Sequence, residues 1–142
     1  MISHLDHFVL TTPDMQGCVD FYSDVLGMVV VRFGSGRTAL RFGQQKINIH
    51  EYGREIEPKA HLSVPGSLDL CFIVHGTIAE LLAHLNAHDV KIEEGPVRRT
   101  GASGEIESVY LRDPDLNLIE LSVSLTAKRA LQSCFLELVS HC

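Results

Sequence analysis

A single carboxylate stands among strand-forming residues near the end of the chain. In residues 118–122, Glu120 faces the same side as Leu118 and Ser122 because side chains alternate along a strand. A carboxylate in such a segment is costly to bury unless it is paired or bound to a metal ion. Glu120 is therefore a candidate site residue, and the alternative is a solvent-exposed glutamate on an edge strand.

The segment before Glu120 has the chemistry of a tight turn. Residues 113–117 read Asp-Pro-Asp-Leu-Asn. Proline presets φ, and the Asp and Asn side chains can hydrogen-bond to the nearby backbone. We predict a turn that leads directly into the strand carrying Glu120.

Three further side chains with metal-binding chemistry lie at related places in a repeated pattern. His7 lies early in the first predicted strand and His50 in the fourth, while Asp69 lies early in the first strand of the second half. With Glu120, these are residue types that bind divalent metals. Eight histidines in 142 residues add a compositional indication of metal chemistry.

Each candidate ligand also has a structural explanation. His7 could be a core histidine bonded to the backbone. Glu51 could replace His50 if the strand register shifts by one residue. Asp69 could start a strand and bond to a turn, and one alignment of the two halves would place it on the face opposite to that of His7. We prefer the alignment in which Asp69 corresponds to His7.

The elements that position these residues form a β-α-β-β-β pattern that occurs twice, an internal duplication. In the first half, Asp14 caps a helix and Gly27 ends it. The predicted strands of this half are 5–11, 28–32, 38–42 and 46–50. The second half has a predicted helix at 78–88 and strands at 68–74, 90–92, 106–112 and 118–122.

The pattern predicts one domain followed by a tail. Residues 1–124 form the domain, with module one at 4–50, module two at 68–123 and a linker at 51–67. Unstructured loops beyond roughly 12–15 residues are uncommon in compact domains unless they have a function, so the linker is a candidate functional segment. Residues 125–142 form a tail with the pattern of an amphipathic helix.

Composition excludes several classes of partner. The net charge is −6 and no basic run exceeds two residues, so neither nucleic acid nor an acidic membrane surface is an expected partner. No export signal and no stretch of about 18 apolar residues is present, which makes the cytoplasm the expected location. The four scattered cysteines are expected to be reduced thiols.

Three motifs in this order resemble those of the vicinal oxygen chelate superfamily, which includes glyoxalase I, extradiol dioxygenases and the fosfomycin- and bleomycin-resistance proteins. They are HFVL at 7–10, FYSDVLGM at 21–28 and DPDLNLIEL at 113–121. KINIHE at 46–51 and EPKA at 57–60 are most similar to the glyoxalase-domain-containing-protein-5-like branch. The resemblance covers roughly residues 4 to 123, and the three motifs together are specific.

The resemblance implies an α+β fold of paired βαβββ modules that form a curved sheet around a metal cleft, with the helical tail outside it. It implies a homodimer, and a divalent ion (Zn, Ni, Mn, Co or Fe(II)) held by His7, His50 and Glu120. Asp69 stands where glyoxalase I usually has a histidine, and His50 replaces the usual glutamate.

The resemblance implies a metal-dependent lyase or isomerase acting on a small substrate with vicinal oxygens. Glu120 would be the catalytic residue that carries the proton. Two histidines and one carboxylate also form the ligand set of Fe(II) ring-cleaving dioxygenases. A metal-free ligand-binding protein of the bleomycin-resistance kind is the third alternative.

Overall fold

Each half of the chain forms a four-stranded sheet with one crossover helix. The computed structural model describes residues 1–126, and the predicted tail helix lies outside the described residues. The first half consists of β1 (His7–Thr12), α1 (Met15–Asp20) continuing into a π-helical turn (Phe21–Val25), β2 (Val29–Phe33), β3 (Arg37–Phe42) and β4 (Gln45–Glu51). The second half consists of β5 (Asp69–Ile73), α2 (Ile78–Ala87), β6 (Glu94–Gly101), β7 (Gly104–Arg112) and β8 (Leu118–Ser124).

The two sheets have the same strand order, β1-β4-β3-β2 and β5-β8-β7-β6. In the first sheet β1 pairs with β4 in parallel, and the other neighbours are antiparallel. The predicted α+β class and the paired βαβββ modules are therefore confirmed. The chain divides into two compact units: the first is Met1–Asp69 with Arg112–Leu118, and the second is Leu70–Leu111 with the described residues from Ile119 onward.

The helices begin where short polar side chains cap them. The carboxylate of Asp14 accepts from the amide of Gly17 at 3.0 Å, as the sequence predicted. Gly27, with φ of +72°, follows the π-helical turn, and its amide donates to the carbonyl of Ser23. Thr77 caps α2 by accepting from the amide of Glu80. No helix within residues 1–126 is long and apolar enough to cross a membrane.

The strand predicted at residues 90–92 is wrong. The amide of Val90 still bonds to the carbonyl of Leu85 at the end of α2, and the strand of this region is β6, where the sequence pattern predicts a loop. β6 lies at the edge of its sheet, where Pro96 is tolerated because one side of the strand needs no ladder bonds. Gly95 sits at the bulge that starts β6, and an added Cβ there would collide with the carbonyl of Ser108.

The turn before β8 is fixed by a buried carboxylate. Asp113 accepts hydrogen bonds from the hydroxyl of Tyr22 (2.7 Å), from the amide of Asp115 (2.9 Å), and from Asn117 through its side-chain Nδ2 (2.7 Å) and backbone amide (2.9 Å). The side-chain oxygen of Asn117 in turn accepts from the amide of Leu68. The predicted Asx turn thus connects the π-helical turn with the end of the linker, all within the first unit.

Asp115, in the same turn, is expected to destabilise the fold when ionised. Partial burial raises its carboxyl pKa above the ordinary 3.8, although a hydrogen bond from Thr12 opposes this, and its Oδ2 has no partner among the described residues. Because Asn is uncharged at every pH, Asp115→Asn should raise the urea midpoint of unfolding slightly at pH 7. The gain should shrink as the pH falls toward 3.8 and disappear below it, because the carboxyl is then protonated in both states. Urea titrations at pH 7 and pH 4 measure the difference, and a lower midpoint at pH 7 would contradict it.

Candidate functional site

His50 is a buried histidine on the face of β4 that points away from the apolar core. Ile47 and Ile49 of this strand are core residues, so alternation places Asn48 and His50 on the other face. His50 is only 5% exposed, yet neither of its ring nitrogens has a hydrogen-bond partner within the described residues. Buried polar groups are normally satisfied, so this imidazole can bind a partner that lies outside residues 1–126.

The surroundings of His50 favour its neutral form. Burial lowers the pKa of the imidazole below its ordinary 6.5, the positive charge of Arg37 lowers it further, and Glu55 opposes both effects. At neutral pH the ring therefore offers one N–H donor and one lone pair. The lone pair can bind a metal ion or accept a hydrogen bond.

His50 lines a cavity of about 400 Å³ that belongs entirely to the first unit. Val9 and Thr11 of β1 form another part of the wall. The linker supplies seven lining residues, namely Pro58, Lys59, Ala60, Leu62, Ser63, Val64 and Ser67. Leu68 and Asn117 complete the lining. The long connection between the modules therefore forms a wall of this site.

His7 lies on the same face of the first sheet but away from His50. In the β1–β4 pair His7 lies opposite Lys46, and His50 lies opposite Thr11. Four residues of strand separate the two positions, about 13 Å at roughly 3.3 Å per residue. The side chain of His7 is 46% exposed, and its Nδ1 lies 3.0 Å from a carboxylate oxygen of Asp6. One chain therefore does not bring these two histidines together.

The hydrogen bonds of the two sheets show which residues of the repeat correspond. The amide of Lys46 donates to the residue directly before β1 (3.2 Å), and the amide of Leu118 donates to the residue directly before β5 (3.0 Å). His7 and Asp69, the first residues of β1 and β5, are therefore equivalent, as the preferred alignment predicted. Asp69 is exposed.

The repeated pattern places His50 and Glu120 at related places in the last strands of the two halves, but the hydrogen bonds show that these two residues do not correspond. Counting from the two equivalent amides, His50 corresponds to Ser122, and Asn48 corresponds to Glu120. The amide of Val74 donates to the carbonyl of Ser122 at 2.8 Å, which supports this register. Asn48 is absent from the predicted site residues, although its buried Oδ1 has no partner in the described part of the chain. Strand alternation places Asn48 on the same face as His50, and this spacing of two residues could have identified Asn48 from the sequence.

Glu120 lies on β8 in the second unit and is partly buried. Its neighbours Ile119 and Leu121 are core residues, so Glu120 faces the other side of this sheet, as Ser122 does. The hydroxyl of Ser122 lies 2.7 Å from that of Ser108 on β7. Glu120 thus lies on a face of the second sheet that also carries the hydroxyl of Ser122.

The alternative of Glu51 in place of His50 is decided by the strand register. Glu51 is exposed at the end of β4, and His50 is the residue that reaches the cavity.

Arg99 belongs to the β6–β7 hairpin, where it donates to the hydroxyl of Tyr110 and pairs with Glu94 at 3.2 Å. Arg99 is therefore engaged within its own hairpin.

The metal implied by the resemblance finds one well-prepared ligand here. His50 fits because it is buried, neutral and without a partner among residues 1–126. Across the same residues, however, no three His, Cys, Asp or Glu side chains are grouped so that they could hold an ion. A complete coordination sphere within one described chain is not formed.

The repeated strand order and the family comparison define the class of protein. The family model described as Glyoxalase/Bleomycin resistance protein/Dioxygenase superfamily matches residues 4–121. The chain belongs to this superfamily, as the three motifs predicted.

Two relatives are identical to this chain at half or more of the aligned positions. It is 56% identical over 127 residues to the glyoxalase domain-containing protein RDO1 of Mycosarcoma maydis, covering 89% of this chain and 72% of RDO1. It is 50% identical over 122 residues to the virulence protein STM3117 of Salmonella typhimurium strain LT2, covering 86% of this chain and 85% of that protein. The crystal structure of STM3117 superposes with a TM-score of 0.86 at 49% identity, covering 88% of this chain and 99% of the other.

A more distant structure shares the fold. Lactoylglutathione lyase from Agrobacterium tumefaciens superposes with a TM-score of 0.68 at 21% identity, covering 87% of this chain and 96% of that one. At this identity the similarity concerns the fold, and the chemistry must be argued from the residues of this chain.

Proposed function

We propose that this protein is a divalent-metal-dependent, glyoxalase-like lyase or isomerase that acts on a small substrate with vicinal oxygens. The observation that carries the proposal is the buried imidazole of His50, unpartnered among the described residues, beside a cavity of about 400 Å³. Leaving such a group unsatisfied costs stability, and function is the usual reason for keeping it. Membership of a superfamily with lactoylglutathione lyase among its structural neighbours is consistent with this chemistry.

The proposed ligands are His7, His50 and Glu120, with Asp69 as the fourth. Zn, Ni, Mn, Co and Fe(II) are the candidate ions. When bound, a divalent ion supplies polarisation of the two substrate oxygens. In this proposal a carboxylate oxygen of Glu120 accepts the proton from the carbon that bears the hydroxyl and returns it to the carbon that bears the carbonyl, while the hydroxyl proton passes to the former carbonyl oxygen.

We also propose that the working unit is a homodimer. His7 and His50 lie about 13 Å apart along the β1–β4 pair of one chain, which supports a site shared between copies. In such a site one copy supplies a ligand to the other. Size-exclusion chromatography with light scattering, with and without metal, measures the association state, and a monomer under both conditions would contradict this part.

Metal content is the direct test of the proposed function. Protein stripped with a chelator and reloaded with each of the five ions should bind one of them at about one equivalent per proposed site. Turnover would then be assayed with the hemithioacetal of glutathione and methylglyoxal, followed by a panel of other substrates with vicinal oxygens. Failure to bind any of the five ions would overturn the proposal.

Glu120→Gln should reduce both metal retention and turnover. The substitution keeps the shape of the side chain but removes its charge and its basic oxygen. We expect kcat to fall by about 100- to 10,000-fold, the usual contribution of a general base. Glu51→Gln is the matched control, because Glu51 is exposed and lies outside the cavity lining. Equal turnover of the Glu120 variant and the control would exclude Glu120 from catalysis.

A metal-free ligand-binding protein is the second candidate. The observation that favours it is that the cavity lies within one unit, while no group of metal-binding side chains is formed among residues 1–126. Under this alternative, Glu120→Ala would keep full ligand affinity and the wild-type protein would bind no metal. Loss of ligand affinity together with loss of metal would exclude it.

A further inference from the structure

The cavity beside His50 has one positively charged side chain in its lining, counted over the described residues. We propose that it selects substrates carrying a carboxylate next to a hydroxyl or carbonyl oxygen, on an apolar body, and that Lys59 is the residue that holds the carboxylate. The inference rests on the proposed function in one respect, because that function requires the substrate to carry two oxygens on neighbouring atoms. It goes beyond that function by naming the substrate class and a specificity-determining residue.

The charged groups in the cavity lining are of one sign, positive. Lys59 is the cation among the lining residues, all of which belong to the described chain, and none of them is a carboxylate. Lys59 forms no salt bridge with the described residues. In a protein with a net charge of −6, such an ammonium at a cavity provides a local attraction for a small anion.

One competing charge belongs to Glu55. It interacts electrostatically with Lys59 and His50, but the amide of Gly53 holds its carboxylate at 3.0 Å, and Glu55 is not among the lining residues. The backbone bond is the main reason that the pKa of Glu55 is lowered. One carboxylate oxygen of Glu55 is therefore held by the backbone, and no salt bridge forms between Glu55 and Lys59.

The second oxygen of the substrate can bind to the buried side chains of Thr11 and His50. The two residues lie opposite each other in the β1–β4 pair, and both line the cavity. The imidazole of His50, which has no partner within residues 1–126, can donate its N–H to a carbonyl or hydroxyl oxygen, which leaves its lone pair for the proposed metal. A carboxylate on Lys59 with an adjacent oxygen on His50 would satisfy both groups.

The rest of the lining suits an apolar body. Val9, Pro58, Leu62, Val64 and Leu68 contribute hydrocarbon to the wall. A volume of about 400 Å³ falls in the range of small-molecule sites, roughly 300–1,000 Å³. An α-hydroxy or α-oxo acid with an aromatic or branched aliphatic group combines the three features that the cavity offers.

Mandelate and its uncharged amide, mandelamide, are suitable probes, because they differ in the carboxylate and share the hydroxyl and the ring. Calorimetric titrations at low salt would use the whole protein, stripped of metal. Wild type should bind mandelate more tightly than mandelamide. Lys59→Met should weaken the binding of mandelate by about tenfold or more, because one charged hydrogen bond is lost. Lys59→Arg should retain most of the affinity, since it keeps the cation.

Lys91→Met is the matched control, because it removes the same charge from an exposed lysine outside the lining. It should leave mandelate affinity unchanged, and neither methionine variant should alter mandelamide affinity or the melting temperature. Raising the salt concentration should weaken mandelate binding to wild type but not to Lys59→Met. Equal affinities of wild type and Lys59→Met for mandelate, or equal binding of the two probes by wild type, would overturn the inference.

These results are separate from the test of metal dependence. The titrations use stripped protein, so loss of discrimination by Lys59→Met supports the substrate class whether or not a metal is later bound. Conversely, stoichiometric metal binding with no preference for mandelate would overturn the carboxylate inference and leave the proposed lyase or isomerase chemistry intact.

Discussion

Replacing Asp113 with alanine is expected to lower the free energy of unfolding by about 2–6 kcal/mol, because the substitution removes the acceptor of two buried donors. The carboxylate is buried and accepts four hydrogen bonds from described residues. Its loss leaves the hydroxyl of Tyr22, which is 0% exposed, and the Nδ2 of Asn117 without an acceptor. Each buried donor left unpaired costs about 1–3 kcal/mol. Tyr22 cannot compensate by ionising, because burial and the adjacent Asp113 raise its pKa.

Urea unfolding followed by circular dichroism measures this loss, and Asp115→Asn serves as the matched control within the same turn. A double-mutant cycle with Tyr22→Phe identifies the cause. Tyr22→Phe alone should cost about 1–2 kcal/mol, but much less in the Asp113→Ala background, because the shared hydrogen bond is already absent. Additive effects, or a loss below about 1 kcal/mol for Asp113→Ala, would contradict the role assigned to this carboxylate.

Replacing His50 with leucine is expected to abolish function and stabilise the fold. The two ring nitrogens have no partner within the described chain, and burying them unpaired lowers the stability of the fold. An apolar side chain of similar size removes this penalty. We expect a gain of about 1–2 kcal/mol in the free energy of unfolding, in the range of other stabilising substitutions at functional positions. We also expect metal content to fall and turnover to fall by at least about 100-fold.

The pH dependence of stability provides an independent measurement on His50. Its pKa in the folded protein is lowered from 6.5, so the unfolded chain takes up a proton that the folded chain does not. The stability of the wild type should therefore decrease as the pH falls through 6.5 toward the lower folded pKa. The decrease should be smaller in His50→Leu and unchanged in His75→Leu, a control at an exposed histidine. Lower stability of His50→Leu at pH 7 would show that His50 is structural.

The elements with strong local signals could be predicted from the sequence. Asp14 and Gly27 define the ends of the first helical segment through a cap and a positive φ, which are properties of those residues. The Asx turn at 113–117 and seven of the eight strands follow likewise from turn chemistry and alternation. The 90–92 prediction failed because an edge strand tolerates Pro96 and a bulge, and local pattern does not reveal which strand lies at an edge.

For the site, the sequence determined the candidate residue types, and only the tertiary structure decided their surroundings. Glu120, His7, His50 and Asp69 were found because strand alternation and the repeat are local or periodic features. The burial of His50, its missing partners among the described residues and its cavity depend on the linker, which has no periodic pattern. The correspondence of Glu120 with Asn48 was decided by strand pairing. A shift of register by one residue moves every side chain of a strand to the opposite face, but it leaves the pattern seen in the sequence almost unchanged.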